Sequence, residues 1–193
     1  MKKHLSFIAL LIANLFYAQQ VVDISTFNSG NNSNKYFKDI NNNYNNFIGT
    51  WENTTGNTTF RITLVKIAKT YSLGNHQNVK MDLIKGSYKI IQNAGTPNET
   101  ILFDSVKQTS NGIWEYVIEM RSNNGTSAYG WIEDNNAICP NQSQCVLEAW
   151  AYLKILPNTN GLQAEWKLKI EGIRFEGDTF RVPTETIIMT KVN

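Results

Sequence analysis

From Trp51 onwards apolar residues recur at alternate positions, and short turn-forming stretches interrupt them at roughly regular steps. The clearest case is "LQAEWKLKIE", where Leu162, Ala164, Trp166, Leu168 and Ile170 alternate with Gln163, Glu165, Lys167, Lys169 and Glu171. A period of two puts these sets on opposite faces of one strand, as in a half-buried antiparallel sheet. At Gly172 the phase flips and Ile173 and Phe175 carry the apolar face, which suggests a β-bulge. "WENTTGNTTFRITLVKI" reads as two strands joined around Thr55-Gly56-Asn57, and Asn123-Asn124-Gly125 is a tight-turn signal. Pro183 marks a strand edge or break near the end of the chain. The pattern predicts an all-β fold of about eight to ten antiparallel strands in an up-and-down meander. Closure into a single barrel removes the exposed edges of so long a meander.

A different pattern precedes the strands. "MKKHLSFIALLIANLFYAQQ" opens with Lys2 and Lys3 and runs apolar from Leu5 to about Tyr17. That run is too short to span a bilayer, and Ala18 supplies the small residue of a cleavage site. Residues 1–18 therefore read as a signal peptide, which implies export to the periplasm or beyond. No Cys follows the run before Cys139, so a lipid anchor of the bacterial type is not expected. Residues 19–35 read as an Asn-rich flexible leader, and 36–193 as one barrel domain. Within "KYFKDINNNYNNF", Phe37, Ile40, Tyr44 and Phe47 recur at helical spacing, so a short N-terminal helix of one or two turns is expected to plug an apolar opening.

The strand after that helix begins "F47-I48-G49-T50-W51". A Gly two residues before a Trp, behind a short helix and ahead of a meander, resembles the lipocalin-like (calycin) barrels. The whole chain is also similar to a group of small, Asn-rich secreted bacterial lipocalin-like proteins. The resemblance implies that Trp51 packs across the closed end of the barrel and that Gly49 lets the backbone pass closely. It also implies a basic side chain laid over the Trp from the last strand. In "IIMTKV" that place falls to Lys191, with Arg174 and Arg181 as competitors.

Removing the signal peptide takes away Lys2 and Lys3, which leaves Lys and Arg equal in number to the 16 Asp and Glu. A neutral chain without a basic run has no electrostatic reason to seek nucleic acid or anionic membranes. No segment after the signal peptide is long and apolar enough to span a bilayer. Cys139 and Cys145 in "CPNQSQC" are expected to pair as a disulfide in an oxidising compartment. The spacing does not suit zinc, and no cofactor is expected.

The single His of the mature chain, His76, sits in the turn-like "SLGNHQN" and reads as a solvated loop residue. Hydrolase elbows, zinc-protease motifs and phosphate loops are absent from the sequence, so no enzyme is expected. Glu115 and Glu119 share a strand face in "IWEYVIEMRS", best read as the outer face of a barrel. Trp114, Tyr116, Ile118 and Met120 form the opposite, apolar face. "VLEAWAYLKI" also has two faces: Leu147, Ala149, Ala151, Leu153 and Ile155 on one, and Val146, Glu148, Trp150, Tyr152 and Lys154 on the other. The first is expected inside, because charges seldom enter an interior unpaired. Together with Trp166 and Leu168, these apolar faces would line a site for a small, largely apolar ligand. The alternative is a barrel filled by its own side chains that acts as a protein-binding or inhibitor module through its loops. Its cue would be an exposed aromatic cluster, Trp150 with Tyr152.

Overall fold

A computed structural model describes residues 19–28, 30, 32–71, 78–109, 112–140, 142, 145–171 and 175–192. The strands in chain order are β1 (Gln20–Asp23), β2 (Lys35–Lys38), β3 (Gly49–Thr55), β4 (Thr58–Tyr71), β5 (Lys80–Gln92), β6 (Thr100–Asp104), β7 (Lys107–Thr109), β8 (Gly112–Trp114), β9 (Ile118–Arg121), β10 (Ser127–Asp134), β11 (Leu147–Ile155), β12 (Gln163–Lys169) and β13 (Ile187–Val192). Eight of them close a ring in the order β3-β4-β5-β9-β10-β11-β12-β13, and β13 pairs back onto β3. Every pairing in that ring is antiparallel. The expected up-and-down barrel is therefore the fold. Local chemistry sets its hairpins. Gly56, at φ +61°, opens the two-residue turn between β3 and β4, where a Gly tolerates the left-handed backbone that such turns need. The turn before β10 has its positive φ at Gly125.

Strand β5 organises one side of the ring. β4 occupies one of its edges, and three strands share the other: β2 at Lys80 and Met81, β9 at Ile84–Gly86, and β6 at Lys89–Gln92. That sharing explains a departure from the sequence reading. "IWEYVIEMRS" is not one strand: β8 and β9 are separated at residues 115–117, because β6 already holds the stretch of β5 that a longer β9 would need. β8 pairs with β7 instead. At the break, the Val117 N–H donates to the Gly86 carbonyl and the Glu133 N–H donates to the Val117 carbonyl. Glu115 and Glu119 accordingly do not share a strand. Glu115 lies exposed in the connecting segment, and Glu119 sits on the outer face of β9 in an ion pair with Lys85 at 3.1 Å.

The segment before the barrel is more ordered than a flexible leader. β1 runs parallel to β2, Ile24 is fully buried, and Phe27 meets Phe37 edge-on at 5.0 Å between ring centroids. The helical spacing over 37–47 resolves into strand β2 and a single 3-10 turn, Asn43–Asn46. Asn42, at φ +56°, breaks any longer helix, and Asn is a weak helix former. Phe37, Tyr44 and Phe47 are buried as the spacing implied, whereas Ile40 is exposed. Two buried carboxylates fasten this segment to the barrel. Asp39 accepts the N–H groups of Asn43 and Tyr44, and Asp82 accepts the Tyr36 hydroxyl and the Asp39 N–H. Lys66 lies 2.9 Å from Asp39 and 3.7 Å from Asp82, which balances part of their charge. Burial, and then Asp82, pushes the Tyr36 phenol up to about 12.

The barrel interior is a packed core. Trp51, Ile62, Ile84, Tyr88, Ala151, Leu153, Trp166 and Met189 each show 0% exposure. Near one rim, Asp134 is likewise fully buried and accepts the Tyr88 hydroxyl and the N–H groups of Asn136, Arg181 and Val182. Its charge is thus surrounded by donors. β9 and β10 approach very closely at Gly130, where a Cβ would lie 1.9 Å from the Glu119 carbonyl oxygen. Residues 1–18, His76 and the Gly172–Arg174 stretch, with the bulge and the Arg174 alternative read there, lie outside the described residues.

Candidate functional site

The β10–β11 pair alternates strictly, and its register sets what each face displays. Inward go Ala128, Ile132 and Asp134 from β10, and Leu147, Ala149, Ala151 and Leu153 from β11, all buried. Outward, residues meet in directly opposed pairs: Ser127 with Lys154, Tyr129 with Tyr152, Trp131 with Trp150, and Glu133 with Glu148. The outer face thus carries a square of aromatic rings, with a carboxylate pair at one end. Trp131 and Trp150 pack edge-to-face, 5.0 Å between centroids at 87°, an arrangement that aromatic pairs favour. All four aromatics keep part of their surface exposed.

The neighbouring strands frame the square. On β9, Glu119 stands opposite Trp131 and Arg121 opposite Tyr129. Arg121 donates from Nε to the Tyr129 hydroxyl at 2.9 Å, and its guanidinium lies 4.4 Å from the Phe27 ring centroid and 5.0 Å from that of Tyr129. On β12, Lys169 stands opposite Trp150 and Lys167 opposite Tyr152. Lys169 forms an ion pair with Glu171, whose carboxyl is held below its ordinary range by that lysine and by the Trp150 indole.

A groove of about 570 Å³ opens beside this face. Tyr116 and Val117 of the β8–β9 connection, Trp131, Glu133 and Trp150 line it, and Met81 and Leu83 of β5 contribute buried apolar surface. Glu133 and Glu148 form no ion pair with any described residue. Burial first, then Glu148 and Glu119, raises the Glu133 carboxyl above its ordinary range. A second recess of about 300 Å³ lies between Tyr129, Tyr152, Lys154, Glu165 and Lys167.

At one end of the barrel the structure brings Gly49, Trp51 and Lys191 together. Trp51 is fully buried and its Nε1 donates to the Phe47 carbonyl at 2.8 Å. Lys191 pairs with Trp51 in the β13–β3 register. Its Nζ lies 5.3 Å from the Trp51 ring centroid and donates to the Asn46 carbonyl at 3.2 Å. Gly49 has φ +122°, and a Cβ there would come within 3.1 Å of Lys191 Cε, so a side chain would be both strained and crowded. Arg181 lies elsewhere, 4.5 Å from the Phe103 ring centroid. Cys139 and Cys145 form a disulfide across the β10–β11 loop.

The residues expected to line a ligand site divide. Ile118, Met120, Leu147, Ala149, Ala151, Leu153, Trp166 and Leu168 all face inward, and none exceeds 9% exposure. Tyr116 lies on the outer groove instead, since the break at residues 115–117 takes it off strand β9. The Trp114 side chain lies outside the described residues. Trp150 and Tyr152 point outward, as their alternation with buried Ala and Leu requires. Sequence reasoning missed their partners Tyr129, Trp131 and Glu133. "SAYGWIED" carries the same alternating signal, and the cross-strand register that turns two aromatic pairs into a patch is set only by folding.

Residues 1–149 match the model of a family of unknown function (DUF6705), and the chain belongs to that family. No curated protein and no solved structure matches it.

Proposed function

We propose that this member of a family of unknown function is an exported, lipocalin-like barrel that uses its interior as a filled core and its outer β10–β11 face to bind a protein partner. The observation that carries the reading is the opposed aromatic set, Tyr129 with Tyr152 and Trp131 with Trp150, half-exposed beside a groove while the interior Trp51 and Trp166 are fully buried. Contiguous exposed aromatic surface on a soluble barrel marks an interaction site, and Trp, Tyr and Arg dominate the energetic centres of protein interfaces. The Gly49, Trp51 and Lys191 arrangement supports the lipocalin-like reading. The disulfide supports an oxidising compartment, in keeping with the signal peptide read from residues 1–18. Carriage of a small apolar molecule in the lumen draws less support, because the residues that would line it already fill it.

The test places a photo-crosslinking side chain at Tyr152 and expresses the chain in its own host. Adducts to one protein that disappear in a Trp131→Ala/Trp150→Ala variant support an outer-face binding module. If native mass spectrometry instead finds a lipid or pigment on the purified protein, retained in that variant, the lumen is the site and the proposal fails.

A further inference from the structure

Resting on that reading, we infer that the groove beside Trp131 takes a basic side chain of the partner, a lysine or arginine on an extended segment, with its cation settled against Glu133 and Glu148.

Folding sets Glu133 and Glu148 directly opposite each other across β10 and β11, and like charges in that position oppose folding. The surrounding acids are answered: Glu119 by Lys85 at 3.1 Å and Glu171 by Lys169. Two cations line the groove: Lys85 is the one paired with Glu119, and Arg121 is lodged against Phe27 and Tyr129. Of the carboxylates that line the groove, Glu133 alone therefore has no counter-charge among the described residues, and Glu148 across the strand pair adds to its field. The carboxyl of Glu133, held above its ordinary range by burial and its acidic neighbours, reflects the same imbalance.

Shape and chemistry narrow the occupant. At about 570 Å³ the groove falls within the size range of sites that enclose a whole small ligand, so it admits a long side chain with its flanking backbone. Both indoles line it, and an indole is the ring that most strongly attracts a cation. A guanidinium matches the planar fork of a carboxylate, and an ammonium can lie between two of them. A neutral saccharide would stack on the same rings and donate hydroxyls to the carboxylates, but it would leave their charge unneutralised.

The experiment titrates the full chain at low salt, following tryptophan fluorescence, with three probes. These are acetyl-Gly-Arg-Gly-Arg-Gly-amide, its Gln counterpart, and cellohexaose. The Arg peptide is expected to bind at least tenfold more tightly than the Gln peptide. Glu133→Gln should weaken it by roughly tenfold, as loss of a partly desolvated charge partner does, and Glu148→Gln by a smaller factor. Both variants should retain the wild-type circular dichroism spectrum. The inference is overturned if the Gln peptide or cellohexaose binds as tightly as the Arg peptide, if Glu133→Gln leaves Arg-peptide affinity unchanged, or if no probe binds. If the two peptides bind equally and both are lost in Trp131→Ala, the basic partner falls while the outer-face module stands.

Discussion

Substituting Lys191 by Ala, alone and in a Trp51→Phe background, measures whether the barrel end is held by a cation over a ring. In the wild type the Lys191 Nζ lies 5.3 Å from the Trp51 ring centroid and 3.2 Å from the Asn46 carbonyl oxygen. The ring contact is worth about 0.5–1 kcal/mol for a partly exposed cation. The hydrogen bond adds about 1 kcal/mol. Burial pushes the Lys191 ammonium below the ordinary lysine range, so desolvation takes back part of that gain. A net loss of about 1 kcal/mol is expected for Lys191→Ala, and Lys191→Arg should be neutral or better, because a guanidinium stacks well on an indole. Trp51→Phe removes the Nε1 donation to Phe47 and leaves unfilled space, for a loss of roughly 2 kcal/mol. Trp51→Ala should cost about 3–5 kcal/mol, a large share of a typical total of about 5–15 kcal/mol. The assay is urea unfolding of the disulfide-intact chain, with stability compared at constant m-value. Lys191→Ala should cost about 0.5 kcal/mol less once Trp51 is Phe. Additivity to within about 0.3 kcal/mol would refute the coupling, and Lys191 would then be a solvated charge tethered to Asn46.

Gly130→Ala should destabilise severely and lower expression, because its Cβ would meet backbone, 1.9 Å from the Glu119 oxygen and 2.6 Å from Met120 Cα; a melting temperature within a degree of wild type would show that β9 shifts freely. Asp134→Ala should cost roughly 3–5 kcal/mol, by leaving the Tyr88 hydroxyl and the Arg181 and Val182 N–H groups without their acceptor; urea midpoints test it. Glu133→Gln should stabilise the unbound protein at neutral pH. The folded state holds the Glu133 proton more tightly than the unfolded chain, so stability from this group is present below the ordinary glutamate value of 4.5 and lost as pH rises through the raised folded value. The variant's advantage should therefore vanish in melts at pH 4 and below, and an advantage that is constant with pH would refute the sign.

How much could be read from the sequence follows the range of the interactions involved. The alternation in "LQAEWKLKIE" and "VLEAWAYLKI" is local, and it assigns the buried face of β11 and β12 residue by residue: Ala149, Ala151, Leu153, Ala164, Trp166 and Leu168 are inside as their period implies. Gly56 and Gly125 similarly encode their turns locally. The errors arise where a distant strand decides. "IWEYVIEMRS" has an unbroken apolar period, but β5 offers β9 only Ile84–Gly86 of its edge, since β6 and β2 hold the rest. No property of residues 112–121 contains that competition. The Asn-rich start misled for a related reason. A polar stretch holds a fixed conformation when buried acceptors lie elsewhere, and Asp82, 46 residues from Tyr36, is one of them. The candidate site is the extreme case. Tyr129, Trp131 and Glu133 alternate with small or apolar residues like any barrel strand, and so do Glu148, Trp150 and Tyr152. Each strand alone shows an outward face of ordinary composition. Only the register that puts Tyr129 on Tyr152, Trp131 on Trp150 and Glu133 on Glu148 makes an aromatic patch with an unanswered charge. A register shift of two residues would keep every side chain on its face but set Trp131 against Glu148, and it would re-pair the inward residues, such as Ala128, which stands opposite Leu153, and change the stagger that closes the barrel. Core packing and the outer patch are thus fixed by one and the same strand register.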